Sequence, residues 1–136
     1  MKVFITSSFK NGENRKEIEE LCAIIKESGF EDFSFIRDVE NYQKVFHDPK
    51  ELMKRAKEEI EKCDILLIDM TDKPTGRAIE AGIAYALGKK IISIMKKGTK
   101  IKDTTRGISD FIIEYEKISD IKDSLEEIYS GLNNNI

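Results

Sequence analysis

The stretch that decides the fold runs from Asp64 to Lys90 and reads DILLIDMTDKPTGRAIEAGIAYALGKK. It opens with four consecutive aliphatic residues, Ile65 to Ile68, a run that is typical of a strand covered on both faces. Acids and a Pro-Thr-Gly turn follow, and then a run of small and apolar residues with a single acid, Glu80. The pattern predicts a β-strand, an acidic loop and an α-helix that presents one carboxylate.

Strand patterns recur outward from this unit, and helical patterns separate them. The predicted strands cover residues 2–6, 33–37, 64–69, 90–95 and 111–115. Alternating strands and helices fold into a parallel sheet with helices on both faces. We therefore predict an α/β protein, a single-domain three-layer sandwich with the flavodoxin-like (Rossmann-like) strand order 2-1-3-4-5. The domain is expected over residues 1–132 and a frayed tail over residues 133–136.

Three helices are predicted from apolar residues spaced three and four positions apart. Their apolar positions are Ile18, Leu21, Cys22 and Ile25; Leu52, Met53, Ala56 and Ile60; and Ile121, Leu125, Ile128 and Leu132. Asp48 before Pro49 predicts the start of the second helix, and Gly88 and Gly131 predict helix ends. The longest predicted loop covers residues 38–48.

Charge and composition limit the possible functions. The 136 residues include 23 Lys or Arg and 26 Asp or Glu, a formal net charge of -3. No nucleic-acid partner is expected, because nucleic-acid-binding proteins present a net basic face. No apolar run approaches a membrane span and the chain begins directly with a strand, so we expect a cytoplasmic protein without a membrane partner. Cys22 and Cys63 lie far apart and one His is present, so neither a disulfide framework nor a metal site is predicted.

The strand order predicts where a ligand binds. In such sheets the site lies beyond the carboxyl ends of the strands that flank the switch point, here the first and third strands. Thr6, Ser7 and Ser8 are therefore expected to lie opposite Asp69 and Asp72, near the start of the following helix.

Glu80 is the first candidate for chemistry, since it is the only acid between Asp72 and Asp103. A carboxylate partly desolvated beside a crevice can act as a nucleophile or as a general acid or base. The alternative is an exposed ion pair with Arg77 one turn earlier, and spacing alone leaves both open. Asp69 and Asp72 are also ambiguous, because acids after a strand often only cap the next helix.

The segment after the first strand is a candidate phosphate site. Ser7, Ser8 and residues 10–12 offer hydroxyls and backbone amides that lead into a helix. Neither a G-x-G-x-x-G nor a Walker pattern is present, so a turn of solvated serines is the alternative. Arg37 and Arg106 are further candidates for anion contacts, and each is also consistent with a surface charge.

Two other functions of this fold are disfavoured. A phosphoacceptor receiver domain needs a pair of acids after the first strand, and Thr6, Ser7 and Ser8 supply none. A flavodoxin needs aromatic platforms for the flavin, and the chain has no Trp and only Phe9 or Tyr42 as obvious platforms. No cofactor is therefore expected.

Four segments carry a family resemblance. They are Phe4–Ser8, Cys63–Asp69, Gly76–Lys89 and Arg106–Asp110, and the third contains the pattern Gly-x-x-x-Glu-x-Gly-x-Ala-x-Ala-x-Gly-Lys. Together they resemble the nucleoside 2-deoxyribosyltransferase family, which includes the 2'-deoxynucleoside 5'-phosphate N-hydrolases. The resemblance spans nearly the whole chain, and the third segment is its most specific part.

The resemblance implies cleavage or transfer of the N-glycosidic bond of a (deoxy)nucleoside or its 5'-monophosphate. Glu80 stands at the place of the family's nucleophile, which displaces the base and holds the sugar as an ester. By the same likeness Asp69 would face the pocket as a second catalytic residue, and Thr6, Ser7 and Ser8 would line the sugar or phosphate end.

The resemblance also implies an oligomer. Family members complete the pocket from a neighbouring subunit, through the loop before a Gly-x-Ser-Asp segment. In this chain that loop holds Thr104, so a homodimer or higher homo-oligomer with a shared pocket is implied. Asp72, Thr75 and Gly76 complete the expected substrate-binding residues.

The chain departs from the family at three places. Ala56 stands where members carry an Asp, with Glu59 one turn further on; Pro74 replaces an acid or serine; and a tyrosine near the end of the first strand is missing. These departures motivate an alternative function, a catalytically weak or inactive nucleotide-binding or sensing module. A second carboxylate within reach of Glu80, from Asp69, Asp72 or Glu59, would favour catalysis.

Overall fold

A computed structural model describes residues 1–10 and 13–134 of the protein. One sheet contains five parallel strands: β1 (Lys2–Thr6), β2 (Glu31–Ser34), β3 (Ile65–Asp69), β4 (Lys90–Lys96) and β5 (Phe111–Tyr115). The strand order is β2-β1-β3-β4-β5, which confirms the predicted flavodoxin-like topology. β1 and β3 are neighbours, with Thr6 paired to Ile68, so the carboxyl ends of these two strands meet at one edge.

Helices connect the strands on both faces of the sheet. They are α1 (Arg15–Glu27), α2 (Phe35–Asp38), α3 (Pro49–Glu61), α4 (Gly76–Ala86), α5 (Asp103–Ile108) and α6 (Lys122–Asn134), with a 3-10 turn over Ile118–Ile121. The Asp48 side chain accepts a hydrogen bond from the Lys50 amide at 3.0 Å, and Pro49 occupies the first turn of α3, as the sequence predicted.

The core has two halves, because successive side chains of a strand point to opposite faces of the sheet. Val3 and Ile5 of β1 pack in one half with α1 and α6, whereas Phe4 packs in the other with α3 and α4. Cys22 and Cys63 are buried free thiols, one in each half. Burial raises the pKa of Cys22 to about 12 and that of Cys63 to about 11, so both thiols stay neutral at physiological pH.

The second strand differs from its prediction of residues 33–37. β2 ends at Ser34 because this residue caps the short helix α2, its hydroxyl accepting from the Arg37 amide at 3.3 Å. The Arg37 guanidinium binds the carboxylates of Asp32 and Asp38, each at 2.8 Å. Arg37 is therefore held by two acids rather than presented to an anion.

One of the two helix ends predicted from glycines is wrong. Gly88 ends a helix in a left-handed conformation at φ +76°, as predicted, but Gly131 lies inside α6. Ile128 and Leu132 pack on the core on either side of Gly131, so tertiary packing outweighs its weak helix propensity. α6 continues through Asn133 and Asn134 of the predicted tail, and residues 135–136 lie outside the described part of the chain.

Within residues 1–10 and 13–134, none of the helices has the length and apolar character needed to cross a membrane.

Candidate active site

The structure brings Glu80 and Thr6 together at the carboxyl edge of the sheet. Glu80 lies in the second turn of α4, and its Oε1 accepts a hydrogen bond of 2.8 Å from the Thr6 hydroxyl at the end of β1. Thr6 is buried and Glu80 is partly buried. The carboxylate is thus oriented by a neutral donor from the strand next to the switch point.

Glu80 lines a cavity of about 290 Å³. The other lining residues are mainly apolar or aromatic, with a few polar groups: Ile5, Thr6, Ser7, Phe9, Phe35, Ile36, Glu40, Leu52, Met53, Ala56, Gly76 and Arg77. Apolar walls with a few convergent polar groups are typical of small-molecule sites. We call this space the Glu80 cavity.

The surroundings of Glu80 shift its titration. Burial raises the pKa of Glu80 from its ordinary 4.5 to about 7, and the charge of Glu40 adds to the rise. The hydrogen bond from Thr6 and the charge of Arg77 act in the opposite direction. The carboxyl group therefore exchanges its proton near neutral pH.

Arg77 does not form the ion pair with Glu80 that spacing allowed, although both residues are described. Its guanidinium instead donates to the backbone carbonyl of Asp69 and, at 3.3 Å, to that of Thr71. Burial lowers the pKa of Arg77. The Glu80 carboxylate consequently faces the cavity without a bound cation.

Asp69 lies close by but points elsewhere. Its carboxylate accepts hydrogen bonds from the Tyr115 hydroxyl at 2.6 Å and from the Thr71 amide at 2.9 Å. Together with Ser7 and Ser8 it lines a neighbouring cavity of about 210 Å³ on the α1 side. Ser7 lines both cavities, whereas Asp69 and Ser8 do not line the Glu80 cavity. A catalytic role for Asp69 stays a prediction.

The remaining predicted substrate contacts are dispersed. Gly76 lines the Glu80 cavity, and Thr75 precedes α4 without a capping hydrogen bond from its side chain. Asp72 is exposed in a left-handed turn at φ +66°. Thr104 is exposed on α5, not in a loop, and lines a groove on the other side of α4. Residues 11–12 of the predicted phosphate segment lie outside the described residues.

Ala56, at the position where the resemblance implies an Asp, lies in the wall of the Glu80 cavity. Ala56 is buried and lines the Glu80 cavity, so a longer side chain there would reach the site. Glu59 is held away from the cavity by Arg55 at 3.1 Å and Lys62 at 3.3 Å, and these partners lower its pKa. Glu59 therefore does not replace the missing Asp.

Glu40 is the second carboxylate of the cavity, and the sequence alone does not predict it. It follows α2 in the connection to α3, within a stretch where several charged residues are equally plausible surface groups. Burial raises the pKa of Glu40. No local pattern distinguishes Glu40, because only the fold of the Val39–Asp48 connection brings it to Glu80.

Comparisons with known proteins point to one family. A family model described as nucleoside 2-deoxyribosyltransferase matches residues 3–122. The solved structure of the CMP N-glycosidase of Clostridium botulinum is 26% identical, with a TM-score of 0.71, and the match covers 95% of this chain and 99% of that chain. A 2-deoxyribosyltransferase from Bacillus psychrosaccharolyticus is 25% identical, with a TM-score of 0.68 and 90% of each chain covered.

A third solved structure shares the fold alone. It is a putative pilus assembly-related protein from Burkholderia pseudomallei, 12% identical with a TM-score of 0.56, and the match covers 96% of this chain and 90% of that chain. A comparison with curated proteins gives no significant match.

Proposed function

The chain belongs to the nucleoside 2-deoxyribosyltransferase family, and from this premise we propose that Glu80 is the nucleophile in N-glycosidic bond cleavage or transfer. The substrate is a (deoxy)nucleoside or its 5'-monophosphate. The observation that carries the proposal is the Glu80 carboxylate itself, hydrogen-bonded to Thr6, free of the Arg77 ion pair and directed into a mainly apolar cavity.

The chemistry follows from a carboxylate held beside an anomeric carbon. A Glu80 oxygen attacks that carbon while its bond to the base nitrogen breaks, through an oxocarbenium-like transition state. The sugar is then held as an ester, and water or a second base attacks the same carbon and releases Glu80. Two displacements retain the configuration at the anomeric carbon.

The cavity suits a ligand with one apolar and one polar half. Phe35, Leu52 and Met53 offer an apolar wall for the base, while Thr6 and Ser7 offer hydroxyls for the sugar. A 5'-monophosphate is favoured by the likeness to a CMP N-glycosidase. Its phosphate would lie toward Ser7, Ser8 and Thr75, beyond the carboxyl end of β1.

We further propose that the enzyme is a homodimer in which each subunit borders the cavity of the other. The outer face of α4 exposes Ile79 and Tyr85, at 55% and 56%, and Ala78 and Gly82 between them carry no charge. A two-fold interface places a patch against its own copy, so an uncharged apolar patch avoids like-charge repulsion. In this arrangement α5 and Thr104 lie near the partner's cavity.

The first experiment follows release of free base by chromatography from ribo- and deoxyribonucleosides and their 5'-monophosphates. Glu80→Gln should lose at least about 10³-fold in rate, because the covalent step needs a carboxylate. Glu58→Gln, an exposed residue of α3, is the matched control with wild-type rates. Equal base release by Glu80→Gln and the wild-type protein would sink the nucleophile assignment.

A second experiment tests the covalent intermediate. A 2'-fluorinated substrate slows both displacements, because fluorine destabilises both oxocarbenium-like transition states, and a readily departing cationic base keeps formation of the ester faster than its breakdown. Intact mass spectrometry should then show one added sugar per chain, mapped to the peptide that contains Glu80. A modified peptide without Glu80 would contradict the assignment.

The alternative function is a nucleotide-binding or sensing module with little turnover. It is favoured by Ala56, which leaves the α3 wall of the cavity without a carboxylate. Thermal stabilisation by nucleotides without base release would support this alternative. Base release that depends on Glu80 would remove it.

A further inference from the structure

The geometry points to Glu40 as the acid that protonates the departing nucleobase, an inference that rests on the proposed N-glycosidic function. Glu40 and Glu80 line the same cavity from different elements, the connection after α2 and the second turn of α4. Phe35 and Ile36 lie beside Glu40 in the cavity wall. Glu40 therefore stands on the apolar side, where the base would bind.

The backbone around Glu40 is held in a specific conformation. Its amide donates to the Phe35 carbonyl at 3.1 Å, and the Tyr42 amide donates to the Ile36 carbonyl at 2.9 Å. Asn41 and Tyr42 are both left-handed, at φ +48° and +58°. Two consecutive non-glycine residues in this region are unfavourable, and such strain is retained mainly where the surroundings impose it at functional sites.

Tyr42 supplies the anchor that maintains this turn. Its ring packs against the core on the α1 side and lies 4.3 Å from the Arg15 guanidinium. Its hydroxyl donates to the Glu19 carboxylate. The turn that directs Glu40 toward the cavity is thus fastened to α1 by a cation-π contact and a hydrogen bond.

The Glu40 carboxyl has no competing partner. Among the described residues, no hydrogen bond or ion pair reaches its side chain, and Arg77, the one cation that lines the cavity, donates to two backbone carbonyls. Burial raises the pKa of Glu40, and its charge in turn raises the pKa of Glu80. Two carboxyls that share a desolvated site resist double ionisation, so the pair holds one proton, and in the reactive form that proton lies on Glu40 while Glu80 is ionised.

Ala56 gives the assignment its structural reason. It lines the same cavity from α3. With Ala at this position the α3 wall offers no proton donor, whereas Glu40 offers one from the neighbouring wall.

The proton balance is complete with these two residues and water. As Glu80 forms the ester bond, the electron pair of the broken glycosidic bond stays with the base, and the Glu40 proton neutralises it. Glu40 is then a carboxylate and accepts a proton from the water that attacks the anomeric carbon. Glu80 leaves as a carboxylate and Glu40 regains its proton, so the net reaction consumes one water.

The test compares Glu40→Gln with the wild-type protein on paired substrates. One member of each pair has a neutral base, and the other has a fixed positive charge on the base, 7-methylguanine for guanine or 3-methylcytosine for cytosine. A cationic base leaves without protonation. We expect a loss of about 10²- to 10⁴-fold on the neutral base and less than about tenfold on the cationic base.

Control variants separate this inference from the proposed function. Glu80→Gln should lose activity on both members of a pair alike, and Glu58→Gln should match the wild-type protein on both. Equal losses of Glu40→Gln on neutral and cationic bases, or no loss on either, would overturn the acid role while leaving Glu80 intact. Absence of base release by the wild-type protein from every substrate would overturn both assignments. Thermal unfolding confirms that each variant is folded.

Discussion

Glu80 faces two opposing requirements at the scale of a single residue. Desolvation by the cavity walls makes a carboxylate more reactive, but it also raises the pKa of Glu80 to about 7 and so favours the unreactive protonated form. The Thr6 hydroxyl donates a hydrogen bond to the ionised carboxylate. This bond lowers the pKa of Glu80 and so offsets part of the effect of burial. Ionised Glu80 is the nucleophilic form, so on a substrate with a cationic base, which leaves without an acid, kcat/KM should rise with pH through about 7.

Thr6→Val tests this balance. Without the donor, the ionised form of Glu80 is less stable, so its pKa rises and the acidic limb of kcat/KM moves to higher pH. Base release from the cationic-base substrate between pH 5 and 9 measures the midpoint. Thr6→Ser keeps the hydroxyl and should keep the midpoint. A midpoint unaffected by Thr6→Val would show that the hydrogen bond does not tune Glu80.

Glu80→Gln should change stability in a way that depends on pH. The folded state holds the Glu80 proton up to about pH 7, whereas the unfolded chain releases it near 4.5. This contribution to stability is complete below pH 4.5 and is lost as pH rises through 7. Gln cannot ionise, so its stability does not change in this way. The free energy of unfolding of Glu80→Gln minus that of the wild-type protein should therefore be larger at pH 8 than at pH 4, by on the order of 1–3 kcal/mol. Urea unfolding of both proteins at pH 4 and at pH 8 measures this change. The same difference between variant and wild-type protein at the two pH values would contradict the prediction.

At the scale of elements, Asp69 joins the ends of three strands. Its carboxylate accepts from Tyr115 of β5, and the adjacent Thr71 hydroxyl accepts from the Lys96 amide of β4 at 3.1 Å. Burial and the bond to Asp69 raise the pKa of Tyr115, which keeps it a neutral donor. These contacts support a positioning role at the base of the β3–α4 connection.

Tyr115→Phe distinguishes positioning from chemistry at Asp69. Loss of one hydrogen bond should lower the free energy of unfolding by about 1 kcal/mol, because Asp69 keeps the Thr71 amide as a partner. Base release should fall less than about threefold if Asp69 only positions the connection. A loss beyond 10²-fold, with the fold intact by circular dichroism, would instead support the catalytic role predicted for Asp69.

At the scale of the whole molecule, the outer face of α4 is an apolar surface that is exposed in the single chain. Ile79 and Tyr85 are exposed there, and Glu80 on the same helix points inward to its cavity. A subunit packed on this face would lie beside the cavity mouth at Gly76. Assembly and access to the site are therefore coupled in the proposed dimer.

Tyr85→Lys tests that assembly. A like charge on each side of a two-fold interface should shift the protein to the monomer, measured as the molar mass by size exclusion with light scattering. Ile112→Lys, the same change at an exposed apolar residue of the edge strand β5, should leave the mass unchanged. If the cavity is shared between subunits, base release should fall together with the dimer. An unchanged mass for Tyr85→Lys would place the interface elsewhere.

Sequence patterns sufficed where the deciding interactions are local. The order of alternating strands and helices predicted the sheet order, and Glu80 stood out because no other acid shares its helix. The strand predicted over residues 33–37 is wrong for a local reason, since Ser34 caps a helix where these residues have the composition of a strand.

What the sequence determined by itself was the fold class and its strand order, because the alternation of strands and helices encodes them, whereas it left Glu80 open between an ion pair and the nucleophile that the family resemblance implies. What only the tertiary structure decided was the surroundings of Glu80: its bond to Thr6, the diversion of Arg77 and Asp69 to other partners, and the arrival of Glu40. The physical reason is distance along the chain, since these contacts join residues from separate elements. The spacing of apolar residues does not indicate which of several charged loop residues will line a cavity in the folded protein.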